Sequence, residues 1–308
     1  MQGASSREED FVEHLFVANT HSYILFFTDK GKCYWVKVYD IPEGGRAAKG
    51  RAIVNLIGCE PDEKVSAFIS VKEFHEDHFV VMATEKGIVK KTKLSAYSNP
   101  RKKGIYAVEI RDGDKLIEAR VSTGDNDILL GTRNGKSIRF SEEQIRASGR
   151  KTMGVKGITL SSDDDRLVGM LLIKREGTVL VATEKGFGKR TEISQYRAQK
   201  RGGKGVLTMK TTEKVGKMVT IKEVVEKDDL MIITNQGVLI RLPVAQIRSI
   251  GRATQGVKLI KLGEGTLVSS ITRIMSEEEQ DEDNNSCLLY TSDAADEGLG
   301  VDLGGRRI

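Results

Sequence analysis

The chain has 308 residues, with 49 Lys or Arg against 44 Asp or Glu, so its formal net charge is +5. A composition of 39% apolar residues, 32 glycines and only 4 prolines excludes collagen and a chain disordered throughout. No apolar run approaches the ~18 residues that cross a bilayer, and residues 1–10 lack the apolar stretch of a signal peptide. These features predict a cytoplasmic protein with no membrane partner.

The cationic charge is concentrated in residues 1–275. Those residues hold 47 bases and 34 acids, whereas residues 276–308 hold 2 bases and 10 acids. A basic body followed by the acidic run 277–283 predicts a polyanionic partner and a tail able to compete for the same surface. Charge alone leaves open that the excess serves only solubility.

In chain order, five similar segments follow one another. Each begins with an apolar run that predicts a strand and ends in a glycine turn. The runs are 24–28, 79–84, 128–132, 179–183 and 231–234, and the turn glycines are Gly31, Gly87, Gly135, Gly186 and Gly237. Glycine accepts the positive φ of a tight turn between two strands, so each segment predicts a β-hairpin.

A second glycine follows every predicted hairpin, 19 residues after the turn glycine in four copies and 17 in the other. These glycines are Gly50, Gly104, Gly154, Gly205 and Gly256. In four copies an arginine stands four residues before the second glycine: Arg46, Arg150, Arg201 and Arg252. The second copy instead has three adjacent cations just before its second glycine: Arg101, Lys102 and Lys103. Each repeat therefore predicts one basic loop.

The strand that leaves each turn carries another cation, four residues after the turn glycine. The residues are Lys91, Arg139, Arg190 and Arg241, with Lys37 near that place in the first copy. Two further strand-like runs close each copy, and four strands in ~50 residues match a propeller blade. Helix is limited to short turns near 141–146 and 243–248. One all-β repeat domain over about 8–275 is predicted; a single long sandwich is the alternative, which the constant spacing disfavours.

Catalytic and metal signatures are missing from the sequence. Cys33, Cys59 and Cys287 form no CxxC pair, and His75 with His78 is the only cluster that could suggest a metal. A solvated loop is the simpler interpretation of that cluster. No cofactor and no enzymatic activity of the chain's own are predicted.

The most pointed motif is the box-like loop, which we define as residues 199–205. It alternates three cations with three glycines: Gln199, Lys200, Arg201, Gly202, Gly203, Lys204 and Gly205. Glycines let backbone N–H groups approach a phosphate, and cations neutralise it. The spacing is not that of a Walker loop. With basic loops in the other copies, the motif predicts a positive track that follows a duplex.

At this point the sequence resembles the C-terminal domain of DNA gyrase A. Runs 10–21, 48–56, 183–191 and 251–257 carry the resemblance, which covers residues 1 to about 283. It implies a six-bladed β-pinwheel, a strand-exchanged relative of the propeller, that binds, bends and wraps double-stranded DNA to enable negative supercoiling. It also implies partners: the rest of gyrase A together with gyrase B, in a heterotetramer. The corresponding domain of topoisomerase IV is one alternative, and a propeller-like scaffold for an acidic protein is another.

The chain departs from the family pattern at both ends. The family's Gln-Arg-Arg-Gly-Gly-Lys-Gly box belongs to the first blade, whereas the box-like loop lies in the fourth copy and has Lys200 in place of the first arginine. Residues 1–3 resemble those directly after the true box, so we expect the first blade to be incomplete and the catalytic tyrosine domain to be absent. Residues 287–308 resemble a translated sequencing adapter and predict no fold.

These observations divide the chain and define its candidate site. A blade remnant at 1–20 precedes repeats at 21–72, 73–123, 124–173, 174–225 and 226–275, and an acidic tail at 276–286 precedes the adapter-like segment. Phosphate contacts are predicted from loop cations and from cations on neighbouring strands. The loop cations are Arg46, Lys49, Arg51, Arg101, Lys102, Lys103, Arg150, Lys151, Lys156, Lys200, Arg201, Lys204 and Arg252, and the strand cations are Lys91, Arg139, Lys189, Arg190 and Arg241.

Overall fold

A computed structural model of the chain describes residues 19–42, 53–60, 62–99, 101, 103–174, 177–263 and 265–274. The predicted blade remnant lies outside the described residues except for its last two positions, and the acidic tail and the adapter-like segment lie outside them entirely. In the described part no helix is long and apolar enough to span a membrane.

Strands dominate the described residues, as predicted. They are β1 (Tyr23–Thr28), β2 (Lys32–Lys37), β3 (Val65–Val71), β4 (Phe79–Thr84), β5 (Ile88–Lys93), β6 (Ile105–Tyr106), β7 (Leu116–Ser122), β8 (Asp127–Thr132), β9 (Lys136–Ser141), β10 (Val155–Lys156), β11 (Leu167–Ile173), β12 (Thr178–Thr183), β13 (Phe187–Glu192), β14 (Val206–Leu207), β15 (Met218–Val224), β16 (Asp229–Thr234), β17 (Leu239–Pro243), β18 (Val257–Lys258) and β19 (Val268–Ile274). The helical elements are α1 (Ile53–Ile57) and five 3-10 turns at Val38–Asp40, Leu94–Tyr97, Glu142–Gln144, Ile193–Gln195 and Val244–Gln246. Two of those turns fall at 141–146 and 243–248, where short turns are predicted.

The strands form five antiparallel sheets in a propeller-like arrangement. The strand orders are β3-β1-β2-β6, β10-β5-β4-β7, β11-β8-β9-β14, β15-β12-β13-β18 and β17-β16-β19. The all-β prediction is confirmed, and all five predicted hairpins form. The sixth blade of the expected pinwheel is not among the described residues.

Strand exchange joins each sheet to the next repeat. Each hairpin pairs with the seven-residue strand that closes its own repeat and, in the first four sheets, with a two-residue strand from the following repeat. In the third sheet, for example, β9 pairs with β14, which lies beyond β12 and β13 in the chain. The sheets are therefore linked covalently and by backbone hydrogen bonds.

The core lies between neighbouring sheets. Val80 to Ala83 of β4 are at most 1% exposed, because this central strand is covered on both faces. Val81 of β4 packs in one apolar cluster with Ile128 and Leu130 of β8, which belong to the next sheet. A strand that is buried on both faces needs apolar residues at every position. This requirement explains the continuous apolar run that begins each repeat.

The turn glycines serve the exchange as well as the hairpin. Gly135 has a φ of +82°, and a Cβ there would lie 2.1 Å from the carbonyl oxygen of Met209 in the next repeat. Its own carbonyl accepts a hydrogen bond from the Thr208 N–H at 2.8 Å. Any side chain at this position would separate the two repeats.

Candidate nucleic-acid interface

Strand exchange brings the predicted basic loops to equivalent places. β6, β10, β14 and β18 pair with the two residues after the turn glycine of the preceding repeat, at 32–33, 88–89, 136–137 and 187–188. Each of these short strands follows a second glycine directly. Because the register is the same in all four sheets, the loops before those glycines lie at the same edge of successive sheets.

The second glycine is required by conformation and by space. Gly205 has a φ of +68°, and a Cβ there would lie 2.4 Å from the Ser137 carbonyl oxygen of β9. Gly154 has a φ of +82°, with the Val89 carbonyl oxygen 2.6 Å from the position of a Cβ. A side chain would displace the short strand and the loop before it.

Backbone carbonyls of the predicted strand cations hold the start of each loop. The bonds are Ser148 N–H to Lys91 O at 2.9 Å, Gln199 N–H to Arg139 O at 2.8 Å and Ile250 N–H to Arg190 O at 2.9 Å. Each bond crosses from one repeat to the next. The strand position therefore supports the loop through its main chain.

The side chains of two strand cations are buried and paired. Lys91 is 6% exposed, and its Nζ lies 2.9 Å from Oε1 of the buried Glu142. Arg190 is 5% exposed, donates to the Ile247 carbonyl at 2.7 Å and pairs with Glu226 at 3.3 Å. Burial and pairing remove these two side chains from solvent, which disfavours the phosphate contacts predicted for them.

Arg139 and Arg241 are likewise paired, although less deeply. Arg139 lies 2.6 Å from Asp127 with its side chain 23% exposed. The Nε of Arg241 donates to Asp229 at 2.7 Å, and this side chain is 51% exposed. The carboxylate partners neutralise much of their charge, so they are weak candidates for phosphate contact.

Most described loop cations, in contrast, face solvent. Arg101, Lys103, Lys151, Lys156, Lys200 and Lys204 are exposed, and Arg150, Arg201 and Arg252 are half-buried. Arg46, Lys49, Arg51 and Lys102 lie outside the described residues. The loops of the third, fourth and fifth repeats thus present cations at equivalent edges of neighbouring sheets.

Two of the half-buried arginines bridge to the preceding loop. Arg201 donates from Nη1 to the Lys156 carbonyl at 3.0 Å and from Nε to the Gln144 carbonyl at 3.0 Å. Arg252 donates from Nη1 to the Leu207 carbonyl, also at 3.0 Å. Lys156 and Leu207 each stand two residues after a second glycine, so the contact repeats. These arginines therefore link each loop to the short strand that follows the preceding second glycine.

The box-like loop uses its glycines mainly for packing. The N–H of Gly202 donates to the Gly157 carbonyl at 2.6 Å, and the N–H of Arg201 donates to Gln144 Oε1 at 2.9 Å. For Gly202, an acceptor within the protein therefore occupies the backbone N–H that was expected to approach a phosphate. The exposed cations Lys200 and Lys204 remain its candidate phosphate contacts.

Glutamines in the 3-10 turns and a lysine in β5 were not singled out from sequence. Gln195 Oε1 accepts the Arg252 N–H at 3.3 Å, as Gln144 does for Arg201. A glutamine nine residues after the turn glycine in the third, fourth and fifth repeats was the available signal.

Lys90, three residues after Gly87, is 1% exposed and donates to loop carbonyls.

Lys189 stands three residues after Gly186 in the fourth repeat, which is the position that Lys90 holds in the second repeat. It was a predicted DNA contact, but its full burial disfavours direct contact with a phosphate. Its Nζ donates to the Gly251 carbonyl at 2.6 Å. Burial, with the charge of Arg252 as a lesser cause, lowers the pKa of Lys189 to about 8.

His75 and His78 lie with ring centroids 5.0 Å apart. Nδ1 of His78 is 2.8 Å from Asp77, and Nε2 of His75 is 3.7 Å from Glu73. Within the described residues, no group of three or more His, Cys, Asp or Glu side chains could hold a metal ion.

The repeats also match a known family, described as "DNA gyrase C-terminal domain, beta-propeller". The matched residues are 22–72, 78–123, 126–174, 177–224 and 228–274, which together make up most of the chain. The chain belongs to this family. The resemblance expected from sequence is therefore confirmed.

Curated relatives agree with the family. The chain is 44% identical over 302 residues to the DNA gyrase A protein of Staphylococcus aureus (strain NCTC 8325 / PS 47), covering 96% of this chain and 34% of the relative. It is 45% identical over 282 residues to the DNA gyrase A protein of Staphylococcus epidermidis, covering 91% and 32%. The chain thus spans about a third of the length of these relatives.

Solved structures share the fold at lower identity. The C-terminal domain of DNA topoisomerase IV superposes with a TM-score of 0.78 at 23% identity, covering 89% of this chain and 85% of that one. The DNA gyrase A C-terminal domain superposes with a TM-score of 0.74 at 21% identity, covering 89% and 92%. These similarities establish the fold alone.

Proposed function

We propose that this chain is a non-catalytic module of DNA gyrase that binds, bends and wraps double-stranded DNA and so enables negative supercoiling. The observation that carries the proposal is the common register of the short strands, which places basic loops at the same edge of successive sheets. Lys151, Lys200 and Lys204 are exposed on those loops, and Lys156 is exposed on the short strand β10. A curved row of cations suits the phosphates of a bent duplex.

Phosphate contacts would supply the affinity without reading the base sequence. Lys and Arg release condensed counterions when they neutralise phosphates, which makes such binding strongly dependent on salt. Bending a duplex by 40–90° over 20–30 base pairs costs about 1–6 kcal/mol. Contacts must therefore continue from one repeat to the next, as the bridges made by Arg201 and Arg252 allow.

Gyrase is favoured over topoisomerase IV by the curated relatives. Two gyrase A proteins share 44% and 45% identity with most of the chain. We propose that the partners are the remainder of gyrase A and the gyrase B protein, in a heterotetramer in the bacterial cytoplasm. The catalytic steps would belong to those parts.

We also propose a sixth blade. In the described part of the chain, β17 pairs with β16 but lacks the two-residue strand that every other outgoing hairpin strand receives. Val238 and Leu239, at the vacant register, are 50% and 47% exposed. A further repeat would supply that strand and cover these side chains.

Ligation of a nicked circular plasmid in the presence of the protein tests wrapping directly. A protein that wraps DNA with one handedness traps a shift in linking number once the nick is sealed and the protein is removed. We expect the shift to grow with the ratio of protein to DNA and to vanish at high salt. Duplex binding without any shift would contradict wrapping, and no duplex binding at all would favour a scaffold for an acidic protein.

A further inference from the structure

Two buried lysines hold loops of the candidate interface. Lys90 and Lys189 stand three residues after the turn glycines of the second and fourth repeats, and they are 1% and 0% exposed. Neither ammonium forms an ion pair among the described residues. Burying an ammonium without a carboxylate is costly unless other oxygens replace water. The oxygens that accept hydrogen bonds from these two lysines therefore show what each lysine holds in place.

Those partners are backbone carbonyls of loops. Lys90 donates to the Ala107 carbonyl at 2.6 Å and to the Arg150 carbonyl. Lys189 donates to the carbonyls of Gly251 and Arg252 and to Thr254 Oγ1, the last at 3.1 Å. Both lysines thus bind the main chain of the arginine that stands four residues before a second glycine.

The two loops that contact these lysines have the same sequence pattern. Residues 149–154 and 251–256 both read Gly-Arg-X-Thr-X-Gly. In each loop the threonine hydroxyl donates to the carbonyl of the first glycine, from Thr152 at 2.9 Å and from Thr254 at 3.0 Å. The loops therefore share their internal hydrogen bonding as well as the lysine beneath them.

The box-like loop differs in both respects. Its preceding repeat has Ile138 where the others have Lys90 or Lys189, and a Cβ on Gly203 would lie 3.3 Å from Ile138 Cδ1. The glycine there lets the loop pack directly on an apolar side chain. A lysine thus accompanies the threonine loops and an isoleucine accompanies the glycine loop.

We propose that Lys90 and Lys189 are positioning residues for DNA binding: each fixes the main chain of Arg150 or Arg252, and so fixes the place of that arginine in the candidate interface. This proposal rests on the proposed function. Since both ammonium groups are buried, they act through the arginines and not on DNA. Burial lowers the pKa of both lysines to about 8, which agrees with partners that are uncharged oxygens.

A double-mutant cycle on binding to a random-sequence duplex, followed by fluorescence anisotropy, tests the proposal. The variants are Lys189→Ile, Arg252→Ala and their combination. Isoleucine is chosen because Ile138 and Ile240 occupy the same position in hairpins that fold. We expect Lys189→Ile to weaken binding about as much as Arg252→Ala, several-fold, and the combination to be no weaker than Arg252→Ala.

The matched control joins Lys189→Ile to Arg150→Ala, whose loop contacts Lys90 instead. These effects should multiply, because the two sites are independent. Unchanged affinity in Lys189→Ile, or effects that multiply within the Lys189–Arg252 pair, would overturn the proposal. If Lys189 had only a structural role, Lys189→Ile would lower the unfolding temperature. Its effect on binding would then combine in the same way with Arg252→Ala and with Arg150→Ala.

A second variant covers the possibility that Lys189→Ile does not fold. Thr254→Val removes one acceptor of the ammonium on a partly exposed loop and should also weaken duplex binding. Wild-type affinity in a folded Thr254→Val protein would overturn the proposal. If the unaltered protein failed to bind duplex DNA, the proposed function would fall, and the positioning role with it.

Discussion

The strand cations and the loop cations differ in environment although both recur once per repeat. Lys91 is almost fully buried and lies 2.9 Å from Glu142, whereas Lys200 and Lys204 are exposed. The backbone of the strand position accepts the first hydrogen bond of the next loop, and its side chain pairs inside the fold. Burial therefore distinguishes the cations that are available to a ligand from those that are not, whereas residue type does not.

Strand cations and loop cations recur with the same period in the sequence, but their different burial gives them different roles. Buried cations stabilise the sheets and place the loops, while exposed cations are free to neutralise phosphates. Lys189 lies between these extremes, since it is buried but bonded to a loop arginine. Substitutions at the two kinds of position should therefore change different measured quantities.

The largest effect should follow from Lys91→Met. This change leaves Glu142, whose side chain is fully buried, without its cation, and breaking a buried pair costs about 3–5 kcal/mol. Denaturant unfolding should show the loss, and adding Glu142→Leu should restore much of it. Lys200→Met is the matched control and should stay within about 0.5 kcal/mol of the wild type. Equal stability of both lysine variants would refute the distinction.

A smaller effect concerns pH and Lys189. Its pKa in the folded state is lowered to about 8 from 10.5, so between these pH values the unfolded chain binds more protons. The free energy of unfolding of the wild type should therefore rise with pH in this window relative to Lys189→Ile, by roughly 3 kcal/mol in total. Urea unfolding of both proteins at a series of pH values measures the difference. Parallel curves would mean that Lys189 is not desolvated.

The third stability effect should come from Gly205→Ala. A left-handed conformation costs alanine roughly 1–2 kcal/mol, and the Ser137 carbonyl obstructs its Cβ. Gly149→Ala is the control, because no atom lies within 4 Å of a Cβ there and its φ is not positive. Thermal unfolding should separate the two variants. A neutral Gly205→Ala would show that β14 can shift without loss.

Much of the fold could be predicted from sequence because glycine marks each repeat twice. Gly135 and Gly205 are needed for both conformation and close approach, so their spacing records the sheet register. The strand exchange itself could not be predicted from periodicity, since a two-residue strand such as Val206–Leu207 has no periodicity to detect. It was expected only through the family resemblance.

The candidate site was predicted less completely. The loop cations could be located from their distance to the second glycine, but the strand cations were assigned to DNA on charge alone. Charge does not show whether a carboxylate lies opposite, and Glu142 is 51 residues from Lys91 in the chain. Lys90 was missed because its partners are carbonyl oxygens, which every residue carries.

The salt dependence of duplex binding tests most directly whether the loop cations form the interface. The variant to compare with wild type changes Lys151, Lys156, Lys200 and Lys204 to Gln, and Arg241→Gln is the strand control. Each lost phosphate contact should lower the slope of log affinity against log salt by about 0.9, so the loop variant should lose about 3–4 and the control almost nothing. An unchanged slope in the loop variant, or an equal loss in Arg241→Gln, would contradict this assignment.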